Sequence, residues 1–280
     1  MSSQIRTSSA DWLRQPVVAG RFYPASAAAL GREVAGYLAQ ADPAMAGPAL
    51  LAMVPHAGYV FSGAVAGRTL GAADLPDTLL LLGPNHTGRG RRLAVWADGA
   101  WAIPGGEVAV AADLAEALCR SDGGFMADAA AHAAEHSLEV VLPFLFQRNP
   151  AVRVVPVAVA EPDLRALTQA ATAAAEAIRA SGEPVGLVVS SDMSHYVPHE
   201  TAKRRDALAL TRALALDPEG LYRVVREEGI SMCGVLPMTL GLLIAKELGA
   251  REAFLAAYAT SGEVSGDMEQ VVGYAGIIVR

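Results

Sequence analysis

Three of the chain's six histidines each follow a short apolar run and open a loop rich in Gly, Asn and Ser. His56 comes after Leu50-Leu51-Ala52-Met53-Val54, His86 after Leu79-Leu80-Leu81-Leu82, and His195 after Val185-Gly186-Leu187-Val188-Val189 and the segment Ser190 to Ser194. Apolar runs of four to six residues bounded by turn formers read as strands buried on both faces of a parallel sheet. Ligands of open α/β sheets bind beyond the carboxyl ends of the strands, so these imidazoles are expected at one rim. Cys233, in the turn Ser231-Met232-Cys233-Gly234 ahead of an apolar helical run, adds a sulfur. Imidazole nitrogen and thiolate sulfur together suit Zn, Fe(II) or Cu, and a site with three protein ligands leaves a position for water, dioxygen or substrate. Asp192 precedes His195 by three residues and is expected to hold its ring in one tautomer, making His195 a general acid or base. The competing expectation for any one of these histidines is a hydrogen bond to its own loop.

A second cluster, His132-Ala133-Ala134-Glu135-His136, matches the H-x-x-E-H pattern of inverted zincins. On a helix His132 and His136 would share a face and clasp zinc with Glu135 as base, the signature of a zinc hydrolase. Ser137 reads instead as the cap of a following helix, which would leave His132 to His136 on the lead-in turn. The glycines between Gly83 and Gly90 fit neither phosphate-loop pattern, and no G-x-S-x-G elbow is present.

The elements that must position these residues alternate. Strands are expected at 49–54, 78–82, 92–96, 152–159, 185–190 and 270–279. Helices are expected from a cap at Ser26 to about Gln40, then at 61–70, 111–120, 137–147, 162–180, 201–214, 217–227 and 235–248. That order predicts an α/β fold, a single domain with a mostly parallel or mixed central sheet and helices on both faces. The domain is expected over 14–280, after a polar tail at 1–13.

The 280 residues, 52% hydrophobic, are enough for a large core. A net charge of −7 argues against a nucleic-acid partner. The mean hydropathy of +0.31 comes from alanine and short aliphatic runs. No stretch approaches the ~20 apolar residues that span a bilayer. With no secretory signal in the opening residues, the expected location is the cytoplasm. Two cysteines make no disulfide scaffold, and Cys119 reads as a packed side chain. So apolar a chain is also a candidate homodimer.

Several segments together resemble the Memo (mediator of cell motility) family. They are Val18 to Pro24, Pro55-His56-Ala57-Gly58-Tyr59 with Ser62-Gly63, Gly83-Pro84-Asn85-His86, and His132 to Glu139 followed by Leu142 to Leu145. Ser190 to Tyr196, Cys233-Gly234, Ser261-Gly262 and Val272 to Ala275 complete the set, in the family's order. The prokaryotic relatives are called the B component of the AmmeMemoRadiSam system. The resemblance implies a fold similar to that of the class III extradiol dioxygenases, non-haem iron enzymes that open catechol rings. It implies that His56 and His86 are metal ligands, and that Met193-Ser194-His195 carries the acid/base histidine. The dioxygenases' third ligand is a glutamate, and Cys233 stands in its place here. A thiolate prefers softer metals and is itself oxidisable, so the resemblance implies metal-dependent redox chemistry on a small molecule, with Fe(II) or Cu expected and zinc admitted. Glu135, His136, Asn85, Tyr59, Phe22 and Tyr23 are expected around the pocket. The eukaryotic member's phosphotyrosine-peptide binding implies an alternative, a non-catalytic module that receives a peptide or a radical SAM system partner at a vestigial site.

Overall fold

Wholly or largely buried strands decide the architecture. In the computed structural model, which describes residues 13–280, β1 (Leu13–Arg14) is followed by α1 (Ala27–Leu38), β2 (Gly47–Pro48), β3 (Leu51–Val54), α2 (Tyr59–Ala72), β4 (Ala73–Asp74) and β5 (Thr78–Pro84). Then come β6 (Leu93–Val95), β7 (Ala100–Ile103), β8 (Gly106–Val110), α3 (Ala112–Arg120), β9 (Met126–Ala127), α4 (Leu142–Arg148), β10 (Arg153–Val159) and α5 (Leu164–Ala180). The last part holds β11 (Val185–Ser190), β12 (His195–Val197), α6 (His199–Leu214), α7 (Pro218–Glu227), α8 (Val235–Glu247), β13 (Ala253–Thr260), α9 (Gly262–Ser265) and β14 (Val271–Val279). Apart from Leu13, the expected polar tail lies outside the described residues.

The main sheet runs β1-β7-β8-β10-β5-β11-β3-β14-β12, with β13 on β14, β6 on β10 and β9 on β6. Its centre, β8-β10-β5-β11-β3, is parallel, and β14 lies antiparallel to β3. The chain is therefore the mixed, mostly parallel α/β domain that the alternation predicts. Register places the functional rim. Val54 of β3 lies opposite Ser190 of β11, and Leu82 of β5 opposite Val189, so three strands end level and His56, Asp192 and His86 emerge side by side.

Helices cover both faces. Gly241 of α8 meets Val189, Leu51 and Leu82 on one face, while Thr69 of α2 sits over Gly276 of β14, whose alternation puts it on the other. The helix α2 is drawn against α1 by Gly63, Gly67 and Gly71. A methyl group at Gly67 would sit 2.4 Å from Tyr37 Cβ, and one at Gly71 2.5 Å from the Leu38 carbonyl oxygen. Glycine is required there by contact between the two backbones.

Several elements depart from expectation. Strands β7, β8 and β13 were not anticipated. Ser26 precedes α1 but makes no side-chain capping bond. The helix expected at 137–147 is one 3-10 turn, Glu139–Val141, followed by α4.

Candidate metal centre

Each of the two histidine ligand candidates is held by a bond at one ring nitrogen that leaves the other nitrogen available. His56, only 2% exposed, has its Nδ1 2.6 Å from Ser190 Oγ. Ser190 donates its one proton to the Ser137 carbonyl at 2.7 Å, so it accepts from His56 Nδ1–H and leaves a lone pair on Nε2. His86 Nδ1 donates to Glu135 Oε1 at 2.9 Å, with the same consequence for its Nε2. Cys233 Sγ lies 3.4 Å from His56 Nε2. The donor atoms of His56, His86 and Cys233 all lie within 4.8 Å of one another, close to what one ion with bonds of about 2.0–2.3 Å spans. The residues present thus fit a mononuclear soft-to-borderline cation.

Glu135 is the hub of the support. It is 1% exposed, and besides His86 Nδ1 its carboxylate accepts from the backbone N–H groups of His86, His136 and Ser137. Burial alone would push its carboxyl up, but the hydrogen bond and charge of His86 and the backbone donors bring it down to about 2. The same hydrogen bond outweighs burial at His86 and raises its pKa. Burial, reinforced by His86 and His136, pushes His56 well below the ordinary histidine value. Burial and the nearby Asp192 charge push the Cys233 thiol up.

His136 belongs to the same group. Its ring stacks on His86 at 4.9 Å and stands edge-on to His56 at 5.6 Å, and its Nδ1 is 3.6 Å from Glu135 Oε1. Its donor atom joins those of His86 and Glu135 in a second compact set. Phe22 packs edge-on against it at 5.0 Å.

Other expectations need correction. Asp192 does not orient His195. Its Oδ1 accepts from the His56 backbone N–H at 2.8 Å, and its Oδ2 lies 4.0 Å from His56 Nε2. His195 is held by Ser231, whose carbonyl accepts from Nδ1 at 2.9 Å and whose hydroxyl accepts from the backbone N–H at 2.7 Å. The zinc clasp of His132, Glu135 and His136 does not form. Residues 130–134 are a turn, and His132 is fully buried with Nε2 donating to the Ala94 carbonyl at 3.0 Å, between Trp96 and Trp101. Asn85 uses its amide inside its own loop, accepting from Thr87 and Gly88 and donating to the Arg89 carbonyl. Tyr59 is buried among Tyr23, Tyr37 and Phe144 and donates to the Val140 carbonyl. Tyr23 donates to Glu139, so of the aromatic pair only Phe22 reaches the site.

Ser190, Ser137 and Ser231, which fix the rings, carry no local sequence signal for that task. Glu139 is a further hidden support. Buried, it receives Arg14 at 2.7 Å together with the backbone N–H groups of Val17 and Val18, while Arg14 also donates to the His132 and Glu135 carbonyls. The segment before Phe22 is thereby strapped to the loop that presents Glu135.

A family model described as Memo-like protein matches residues 14–278. The chain belongs to the Memo-like family. It is similar to a MEMO1 family protein of Methanopyrus kandleri, 40% identical over 282 residues, covering 95% of this chain and 99% of the relative. A MEMO1 family protein of Pyrobaculum arsenaticum is 39% identical over 276 residues, and one of Aquifex aeolicus 36% over 268, each covering 95% of this chain and 98% of the relative. Among the described residues of this Memo-like chain, no helix is long and apolar enough to cross a membrane.

Proposed function

We propose that the chain holds one metal ion, iron or copper, at His56, His86 and Cys233, and that this centre serves redox or oxygen-dependent chemistry on a small molecule. The observation that carries the reading is the convergence of one ring nitrogen from each of two imidazoles and one sulfur, from three distant segments, within 4.8 Å. Such an ion, when bound, supplies electron exchange or dioxygen activation with coordination positions left for substrate. The protein's own residues prepare the site. Burial keeps His56 neutral and able to donate its lone pair, and Glu135 keeps the His86 proton on Nδ1. Cys233 gives up its proton on ligation, so metal uptake is accompanied by proton release. His195, with Nδ1–H on the Ser231 carbonyl, has Nε2 free to accept or deliver a proton at the mouth. Both cysteines are free thiols, which suits a reducing, cytoplasmic setting.

Metal analysis of anaerobically purified protein tests this. His56→Ala and Cys233→Ser should lose the ion, and full metal content in both variants would refute the assignment. The thiol in place of the dioxygenases' carboxylate favours a second reading, in which the pocket binds a peptide or a radical SAM system partner without turnover. Oxygen uptake with catechols or thiols separates the two. Full occupancy, no uptake and tight partner binding would support the module.

A further inference from the structure

Asp206 is a buried carboxylate that the metal centre does not use, yet two parts of the fold are arranged around it. It lies on α6 with no exposed surface. Its Oδ1 accepts from the Ser194 backbone N–H at 3.0 Å, and its Oδ2 accepts from the Tyr258 hydroxyl of β13 at 2.7 Å. Gly273 of β14 makes room for it, since a methyl group there would stand 2.1 Å from Asp206 Oδ2. Around that carboxylate, Met193 N–H donates to the Gly273 carbonyl and Gly273 N–H to the Ser194 carbonyl, each at 2.8 Å. The next residue is His195, and immediately after it Tyr196 adopts a left-handed backbone with φ of 56°. A side chain other than Gly or Asn costs about 1–2 kcal/mol in that region, so the turn persists because its surroundings fix it.

We propose that Asp206 is a positioning residue for His195: by gripping the Ser194 amide it fixes the strand-end segment from which the imidazole projects. Sequence separation hides this link. Asp206 sits two turns into a helix, and only the Gly273 gap lets its carboxylate reach the segment. The link rests on the reading of His195 as the proton-moving group, but it can be measured without metal or turnover.

The experiment compares wild type, Asp206→Ala, Asp206→Asn and Tyr258→Phe by nitrogen-15 NMR of the His195 ring and by hydrogen exchange at the Ser194 amide. Asp206→Ala should move the ring signals and speed Ser194 exchange at least tenfold. Asp206→Asn, which keeps an oxygen for Ser194, should restore both. Tyr258→Phe removes the other bond to the same carboxylate and should lower stability while leaving the His195 signals in place. Unchanged ring signals in Asp206→Ala, or an equal displacement in Tyr258→Phe, would overturn the proposal. Should Asp206→Ala fail to fold, Gly273→Ala takes its place, because its methyl displaces the carboxylate while every donor remains. Unmoved His195 signals in Gly273→Ala would likewise overturn the proposal. A wild-type protein without metal would sink the reading of the centre and leave this result untouched.

Discussion

At the scale of single residues, the centre depends on which nitrogen of each imidazole carries its proton. Glu135 makes that choice for His86, and supports of this kind typically contribute 10–100-fold to metal affinity. Glu135→Gln is therefore expected to weaken metal binding by about that factor in a competition titration with a chromogenic chelator, with little change in fold. His132 offers a pH test outside the centre. Burial between two tryptophans outweighs its bond to the Ala94 carbonyl and lowers its pKa from 6.5 to about 4. A depressed histidine is neutral in the folded chain but protonated in the unfolded chain below 6.5, so its contribution is complete above pH 6.5 and lost as pH falls toward 4. The difference amounts to about 3 kcal/mol. His132→Gln, which keeps a donor for Ala94 but does not titrate, should flatten the acid limb by about that amount when denaturant midpoints are followed from pH 7 to pH 4.

At the scale of elements, the apolar runs at 78–82 and 185–190 announced themselves because both faces of those strands are buried. The ends of such strands were enough to locate His56 and His86. What stayed hidden has physical causes. Strand β13 reads Ala-Phe-Leu-Ala-Ala-Tyr-Ala-Thr, with too much alanine to show a two-residue period. Ser137 was expected to cap a helix, but its hydroxyl donates to the Pro84 carbonyl at the end of β5. Asp192 and His195 were paired by a spacing that works on a helix. Residues 191–194 form neither helix nor strand, and there Asp192 takes the His56 backbone N–H while His195 turns to Ser231. The partners that do hold the rings are distant in sequence, 134 residues apart for His56 and Ser190, which no local pattern encodes. The glycine seam between α1 and α2 gives the element-scale prediction. Gly67→Ala forces a methyl against Tyr37 and should cost about 1–3 kcal/mol, measured as a lowered urea midpoint at constant slope.

At the scale of the whole molecule, the donors of the centre leave two strands and a turn of one continuous scaffold, and those segments and the neighbouring end of β11 are tied by bonds that involve no ion. The backbone N–H of His56 is on Asp192, that of His86 on Glu135, that of Asp192 on the Cys233 sulfur, and that of His195 on Ser231. Small zinc modules that need their ion in order to fold lack such independent ties. Chelation should accordingly leave the far-ultraviolet circular dichroism unchanged. Adding the ion back should raise the melting midpoint only by mass action, about 2.7 kcal/mol at one hundred times the dissociation constant. Collapse of the secondary structure on chelation would contradict this. On the proposed reading, the level strand ends make a socket that stands ready before an occupant arrives, and loading, release and exchange of an ion require no refolding.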